Sequence, residues 1–332
     1  MNHLVEFHSA VVAQLGSAPD DIEPGRLHRF STNGKRGDSS GWCQFFEDGR
    51  AGVYGDFRAG VSLVWTATRR EAMTPAERFE LAKMVDQAKA KREADKVAAW
   101  AVAADRLAST WGQSAPVAAD GSGIDPVTLY LRYRLALAPC EPLAVPAVLR
   151  VHPGLPYYHH DGAFIDTWPA MVAAMQNPAG DLVALHRTWL TADGRKAPVP
   201  GPVKKVSPAC GSLAGGCIRL GWPAADAPAV LGIAEGIETA LAARSASGLP
   251  TVAAYSASSL EGWQWPSELR CLVIFADADS AGADAAEKLR QRARTAGLSV
   301  VVKTPSTPDD DWCDVWAHRG TAGTAGNVEV QS

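Results

Sequence analysis

Two stretches of the sequence share one pattern: LGIAEGIETALAA at 231–243 and CLVIFADADSAGADAA at 271–286. In each, a short apolar run is followed by acidic residues and then by an alanine-rich segment. A short apolar run bounded by a turn is typical of a buried parallel strand, and the segment behind it has the pattern of a helix. The repetition of strand and helix predicts an α/β fold, a mainly parallel sheet with helices on both faces.

Acidic residues follow the predicted strands at the point where each strand ends. Glu235 follows the first apolar run, and Asp277 and Asp279 follow the second. A third acidic cluster reads PDDDWCDVW and adds Asp311 and Asp314 behind a β-branched run. Ligands gather beyond the carboxyl ends of parallel strands, and carboxylate oxygens are hard ligands that suit Mg²⁺. The sequence therefore predicts a Mg²⁺ site for phosphate chemistry, in which Mn²⁺ could replace Mg²⁺.

Helix capping is the alternative explanation for these carboxylates, because an Asp that follows a strand often caps the next helix. Capping does not account for the alternation of Asp277 and Asp279, which places both on one side of an extended chain. It also does not account for Glu235 in the turn after the first strand. Crowded carboxylates repel one another and raise each other's pKa, so we favour a bound cation.

These motifs resemble the Toprim domain, which is shared by DnaG-type primases, topoisomerases and some nucleases. AEGIETALAA, the SASSL loop, FADADSAGADAAEKL and DDWCDVW are similar, more narrowly, to the Toprim primases of phages and plasmids. The likeness extends upstream through PAMVAAMQNPAGDLVALHRTWLTADGRKA and KKVSPACGSLAGGCIRLG. Cys313 departs from the pattern, since the family has Asn in this place, and Asp311 and Asp314 stay alternatives for the third ligand.

The resemblance implies a DNA primase, a nucleotidyltransferase that makes short RNA primers on single-stranded DNA in plasmid or phage replication or transfer. Asp277 and Asp279 would hold the Mg²⁺ that binds the incoming ribonucleoside triphosphate, and Glu235 would ligate metal or act as a general base. Two alternatives stay open: a Toprim nuclease, which would activate water with the same carboxylates, and a non-catalytic accessory protein that binds single-stranded DNA. A topoisomerase is disfavoured, because the chain is short for strand passage.

Basic residues are concentrated in front of the predicted metal site. The whole chain has a net charge of −4, and residues 231–332 hold 8 basic against 13 acidic residues. The stretch 186–220 reverses this balance, with six basic residues and one acidic residue. Such a division is expected where one lobe binds a polyanion and the other binds metal. We predict that template or nucleotide is bound by Arg187, Lys196, Lys204, Lys205, Arg219, Lys35 and Arg36.

Lys35 and Arg36 lie in an aromatic-rich stretch near the N-terminus. Residues 27–65 alternate between aromatic runs and turn signals, which predicts a small antiparallel β unit. Aromatic and basic side chains together suit single-stranded nucleic acid, and the alternative is that the aromatics form the core of the sheet. We predict five parts in all: a β-rich N-terminal module (1–70), a charged helix and linker (71–124), a basic α+β subdomain (125–228), the Toprim domain (229–320) and a flexible tail (321–332).

Several function classes are not supported by the sequence. With 47% hydrophobic and 20% charged residues, the composition is that of a globular protein, and no apolar stretch reaches the ~20 residues of a membrane span. Without a signal-peptide pattern, we expect a cytoplasmic protein with no membrane partner. The six cysteines are scattered, so no zinc site is predicted, and the neighbouring His159 and His160 are interpreted as a polar turn rather than a metal site. No Walker A loop occurs, so a replicative helicase would be a separate partner.

Overall fold

The computed structural model describes residues 2–34, 39–57, 59–68, 70–223, 229–307 and 310–318, with residue 70 described by its backbone alone. The chain divides into two compact units, Met1–Val97 and Ala98–Ser332. No helix among the described residues is long and apolar enough to cross a membrane.

An antiparallel sheet between two helices forms the first unit. Its elements are α1 (His3–Leu15), β1 (His28–Phe30), β2 (Gly41–Phe45), β3 (Ala51–Asp56), β4 (Val61–Thr66), a short 3₁₀ helix (Arg70–Ala72) and the start of α2 (Pro75–Gly112). The strands lie in the order β1-β2-β3-β4. Alternate residues of a strand point to opposite faces, so α1 packs against Cys43 and Tyr54 while α2 packs against Trp42 and Val53. The predicted antiparallel β unit is confirmed.

Most aromatic side chains of this unit form its core. Trp42, Phe45 and Tyr54 are buried, so they cannot offer open faces for stacking with bases. Phe57 is exposed, and the guanidinium of Arg29 lies 4.4 Å from its ring centroid. The alternative explanation, that the aromatic side chains form the core of the sheet, is therefore right for most of them.

A five-stranded antiparallel sheet begins the second unit. Its elements are β5 (Ala115–Pro116), α3 (Pro126–Arg134), β6 (Leu149–Tyr158), β7 (Phe164–Gln176), β8 (Leu182–Trp189) and β9 (Lys204–Val206). The strands follow one another in the order β5-β6-β7-β8-β9. The strands β7 and β8 are long, with 13 and 8 residues. Both are central strands with a partner on each side, which sustains pairing over their whole length.

A four-stranded parallel sheet completes the second unit. Its elements are β10 (Val230–Ala234), α4 (Ile237–Ser247), β11 (Thr251–Ala253), α5 (Ala257–Gly262), β12 (Cys271–Phe275), α6 (Ser280–Thr295), β13 (Ser299–Lys303) and α7 (Trp312–Ala317). The strand order is β11-β10-β12-β13, and every pair is parallel. The helices α4 and α7 contact each other, as do α5 and α6, and the two pairs belong to separate apolar clusters. The predicted parallel α/β sheet is confirmed.

The SASSL stretch differs from its expected loop conformation, because it contains α5. Ser256 caps this helix by accepting a hydrogen bond from the backbone N–H of Ser259 at 3.2 Å. The register of the parallel sheet places Ala234 beside both Ala253 and Phe275, so β10, β11 and β12 end at one level. The residues that follow these strands are thereby brought to one edge of the sheet.

Gly232 gives a test of packing within the parallel sheet. It lies in β10 between β11 and β12, where an added Cβ would approach Thr251 Oγ1 to 2.7 Å and Phe275 Cε2 to 2.9 Å. We expect Gly232→Ala to lower the free energy of unfolding by about 1–3 kcal/mol, because neighbouring side chains must move. Gly262→Ala is the matched control, since a Cβ at Gly262 meets nothing within 4 Å. Urea unfolding would contradict this account if the two variants were equally stable.

Candidate active site

A pocket of about 230 Å³ lies where β10 and β12 end. It receives side chains from the parallel sheet, from the antiparallel sheet and from α3, all within the second unit. Its lining residues are Arg134, His186, Lys204, Glu235, Gly236, Ile237, Glu238, Thr239, Tyr255, Asp277 and Asp311. The structure therefore brings together Glu235, Asp277 and Asp311, which are distant in sequence.

Asp277 is partly removed from water and lies among other carboxylates of this pocket. Its Oδ1 atom is buried and has no hydrogen-bond partner among the described residues. Burial raises the pKa of Asp277 to about 7, and the charges of Asp311, Glu235, Asp279 and Asp314 act in the same direction. A buried carboxylate oxygen without a donor fits a cation, because a cation would offset both the burial and the repulsion.

Glu235 lines the same pocket as Asp277 and lies on the turn between β10 and α4. Burial raises its pKa, as does the charge of Asp279, while a hydrogen bond from the backbone N–H of Ala257 and the charge of Lys204 oppose this shift. The Glu235 carbonyl accepts a hydrogen bond from the backbone N–H of Tyr255 at 2.7 Å. Tyr255 has φ = 66°, a left-handed conformation that is uncommon for a bulky side chain and that concentrates at functional sites.

Three of the predicted metal ligands also cap helices. Asp279 accepts from the backbone N–H of Gly282 at 2.7 Å at the start of α6. Asp311 and Asp314 form a capping box at the start of α7, in which each accepts from the backbone N–H of the other. Capping uses Oδ1 of Asp279 and Oδ1 of Asp311 and leaves the second oxygen of each outside the cap, with Oδ2 of Asp311 lying 3.7 Å from Arg134. Capping and metal binding are therefore compatible.

The carboxylates at the edge of the parallel sheet are not gathered into a tight ligand set. Within the described ranges, only His159, His160 and Asp161 form a group of three or more potential ligands whose atoms lie within 4.8 Å of one another. The predicted ligands Glu235 and Asp277 share a pocket without forming such a group.

His159 and His160 lie in the turn that follows β6, as the sequence predicts. Their ring centroids are 3.9 Å apart, and Nδ1 of His159 is 3.2 Å from Oδ2 of Asp161. Neighbouring side chains point to opposite faces only within a strand, and these two residues lie beyond the end of β6, so their rings can lie side by side. The absence of zinc therefore stays a prediction.

A buried ion pair joins the basic segment to the parallel sheet. Lys204 Nζ lies 2.8 Å from Oε2 of Glu238, and the hydroxyl of Tyr130 donates to Oε1 of Glu238 at 2.5 Å. The Glu238 side chain is only 4% exposed. Burial opposes its charge, but Lys204 and the hydroxyl of Tyr130 outweigh burial and lower the pKa of Glu238 to about 2. The Lys204 ammonium is thereby held in the wall of the pocket.

Lys204 and Lys205 do not act as a pair, because neighbouring residues of β9 point to opposite faces of the sheet. Lys205 is paired with Arg187 in the register of β8 and β9. Its Nζ atom lies 3.7 Å from the ring centroid of Tyr157 and donates to the carbonyl of Tyr158 at 2.5 Å. Arg187 lines a different cavity of about 690 Å³, which is formed by residues of α2 and of the antiparallel sheet.

Lys196 and Arg219, two further predicted nucleic-acid contacts, do not line the pocket. Lys196 is exposed on the turn after β8. Arg219 lies over the ring of Trp222 at 3.9 Å and donates to the carbonyl of Pro178 at 2.9 Å, so part of its hydrogen-bonding capacity stabilises a turn. Lys35 and Arg36 lie outside the described residues.

Sequence patterns did not identify Arg134, His186 and Glu238 of the pocket, nor Tyr130, which donates a hydrogen bond to Glu238. Glu238 is visible in the sequence only as part of a helix start, and Tyr130 only as an apolar helix position. His186 carries no motif, and Arg134 lies 3.7 Å from Oδ2 of Asp311 through a contact between α3 and the start of α7. Among these residues, only Glu238 offered a signal in the sequence, because a carboxylate on an otherwise apolar helix needs a partner.

Two family models match parts of the chain. A domain of unknown function, DUF7146, matches residues 101–220, and the Toprim domain matches residues 230–322. No curated protein matches the chain.

Solved structures that match parts of the chain include several primases. A DNA primase domain from Pseudomonas aeruginosa is 15% identical, with a TM-score of 0.36, and the match covers 50% of this chain and 53% of that one. The primase fragment of the bacteriophage T7 primase-helicase is 14% identical, with a TM-score of 0.32 and coverage of 55% and 63%. The zinc-binding and RNA polymerase domains of the Aquifex aeolicus primase are 15% identical, with a TM-score of 0.42 and coverage of 96% and 83%. The chain thus spans less than two thirds of the first two proteins.

The raised pKa of Asp277 predicts a pH-dependent stability. The unfolded pKa is near 3.8 and the folded pKa is about 7, so the stabilising contribution of the protonated group is complete below pH 3.8 and is lost as the pH rises through 7. Without divalent metal, Asp277→Asn should therefore raise the free energy of unfolding at pH 8 by about 1–2 kcal/mol, a value reduced for partial exposure, and should have little effect at pH 4. Mg²⁺ should stabilise the wild type more than the variant.

Urea unfolding at both pH values, with and without Mg²⁺, measures these effects. Asp284→Asn is the control, because it removes an exposed carboxylate from α6. If Asp277→Asn and Asp284→Asn changed the free energy of unfolding equally at both pH values, the burial and raised pKa assigned to Asp277 would be contradicted.

The buried ion pair predicts different effects for the two lysines. Lys204→Met leaves Glu238 buried without its cation, and we expect the free energy of unfolding to fall by about 1–3 kcal/mol at pH 7. Lys205→Met keeps the aliphatic stem on Tyr157 and should change stability by less than about 1 kcal/mol. Adding Glu238→Gln to Lys204→Met should recover part of the loss, because the unpaired charge is removed. Additive effects in this double-mutant cycle would show that the pair is not coupled.

Proposed function

We propose that the chain, whose residues 230–322 match the Toprim domain, is a primase-like nucleotidyltransferase that joins ribonucleotides into short RNA primers on single-stranded DNA. The observation that carries this proposal is the pocket that unites Lys204 with Glu235, Asp277 and Asp311. Carboxylates suit the divalent metal of phosphoryl transfer, and a fixed ammonium beside them suits the additional charge of a triphosphate.

The carboxylates of the pocket edge would hold Mg²⁺, or Mn²⁺ in its place. Asp277 and Glu235 are the principal candidates, because Asp277 has an unpartnered buried oxygen and both side chains have raised pKa values. Asp279, Asp311 and Asp314 would complete the ligand set with oxygens that capping does not use. When bound, the ion neutralises the triphosphate and lowers the pKa of the attacking hydroxyl.

Side chains of the pocket have complementary tasks in this proposal. Lys204 would contact phosphate from a fixed position, since Glu238 and Tyr130 hold its surroundings. Glu235 would accept a proton or ligate metal, and because burial raises its pKa, its carboxylate is a stronger base than an exposed one. Arg134 would restrain Asp311, which it approaches to 3.7 Å.

The single-stranded DNA template would lie outside this pocket. Arg187 and Arg106 line the larger cavity formed by α2 and the antiparallel sheet, and this pair of cations suits a phosphate backbone. Lys196, Lys205 and Arg219 are further candidates for contact with template or nucleotide. A separate replicative helicase, a cytoplasmic setting and a plasmid or phage origin belong to the same proposal.

Primer synthesis tests this function directly. We expect the wild type to make oligoribonucleotides on single-stranded DNA with Mg²⁺ or Mn²⁺, and Asp277→Ala to lower the rate by roughly a hundredfold or more, since several kcal/mol of metal-based stabilisation are lost. Asp284→Ala should be active, because this carboxylate is exposed on α6. The products are measured on denaturing gels.

Each rival function predicts a different result in the same assay. If no template supports oligoribonucleotide synthesis by the wild type, the primase proposal fails. Metal-dependent cleavage of DNA or RNA without nucleotides would identify a nuclease. Binding of single-stranded DNA with neither reaction would identify an accessory protein.

A further inference from the structure

One buried side chain of the pocket has no task in the chemistry described above. His186 lies on β8, is 8% exposed and lines the pocket beside Glu235, Asp277 and Lys204. The Nδ1 atom of its ring is buried and has no hydrogen-bond partner among the described residues. A buried polar atom without a partner is rare in folded proteins and calls for a specific explanation.

Packing alone does not explain a histidine at this position. His186 is paired with Ala173 on β7 and with Val206 on β9, so its backbone is part of the sheet whatever its side chain. An apolar side chain of similar size would fill the same volume without leaving a polar atom unpaired. By contrast, His152 on β6 is also buried, but its ring contacts Oε1 of Gln113 at 3.3 Å and accepts from the N–H of Gly154 at 3.2 Å.

The charge state of His186 restricts what it can bind. Burial lowers the pKa of His186 to about 4; Glu238 opposes this shift, whereas Lys204 and Arg187 contribute to it. The imidazole is therefore neutral at physiological pH, with one N–H donor and one acceptor nitrogen. A phosphate is bound best by a cation, whereas a neutral imidazole suits an uncharged group that can both donate and accept.

We infer that His186 binds an O–H group of the ligand that fills the carboxylate pocket, supplied either by the ribose of the nucleotide or by a water molecule that accompanies the metal. His186 lines the same pocket as Lys204 and Asp277, so one ligand could contact the phosphate-binding cation, the metal ligands and this imidazole together. Lys204 would recognise charge, and His186 would recognise an uncharged oxygen of the same ligand. The inference rests on the proposed function and adds a specificity-determining residue to it.

Binding and stability measured together test this role. The probes are ATP, 2′-deoxy-ATP and 3′-deoxy-ATP, each titrated with Mg²⁺ into the full chain by calorimetry. The variants are His186→Phe, which removes both ring nitrogens at similar size, and His186→Asn, which keeps a polar group. His152→Phe is the matched control, because it replaces a buried histidine of the same sheet that lies outside the pocket.

We expect His186→Phe to weaken ATP binding roughly 5- to 30-fold, the effect of one hydrogen bond, without lowering the melting temperature. His186→Asn should recover part of the affinity. His152→Phe should lower the melting temperature and leave ATP affinity unchanged. A ribose contact predicts that one deoxy analogue binds wild type and His186→Phe equally, whereas a contact with metal-bound water predicts that all three nucleotides weaken together.

The inference is overturned if His186→Phe binds ATP as tightly as the wild type, whatever its stability. It is also overturned if His186→Phe and His152→Phe lower the melting temperature alike and affect ATP binding alike, since both histidines would then be structural. If the wild type binds none of the three nucleotides, the proposed function and this inference both fail. The wild-type titration therefore separates failure of the function from failure of the residue assignment.

Discussion

The ion pair of Lys204 and Glu238 is the interaction on which the pocket depends. Lys204 comes from the antiparallel sheet and Glu238 from the first turn of α4, and the hydroxyl of Tyr130 on α3 completes the contact. A carboxylate that is only 4% exposed must have a partner, because an unpaired buried charge is strongly destabilising. The pair therefore fixes the basic segment against the parallel sheet at the place where the carboxylates converge.

The carboxylates impose a second constraint, since they repel one another and are partly removed from water. The pKa of Asp277 rises to about 7, chiefly through burial, and its Oδ1 atom has no donor among the described residues. Such an environment opposes folding stability and favours a cation, which is typical of sites kept for function rather than stability. Asp279 and Asp311 reduce this conflict by capping α6 and α7 with one oxygen each.

Much of the architecture could be predicted from local sequence patterns. Short apolar runs and alanine-rich segments identified the strands and helices around Glu235 and Asp277, and the Toprim identification is confirmed by the family model that matches residues 230–322. The assignment to phage or plasmid primases stays a prediction. The stretch SASSL, expected to be a loop, contains the short helix α5, because a helix of six residues is too short to show a periodic pattern.

The sequence by itself determined which residues could carry the chemistry, because carboxylates after strand ends follow from local order along the chain. Only the tertiary structure decided which of them meet. It placed Lys204 in the pocket and Lys205 on the opposite face, although the two are neighbours, because alternate residues of β9 point to opposite sides of the sheet. It also brought His186, Tyr130 and Glu238 together across long separations in sequence. Such contacts depend on strand register and on packing between elements, which no local pattern encodes.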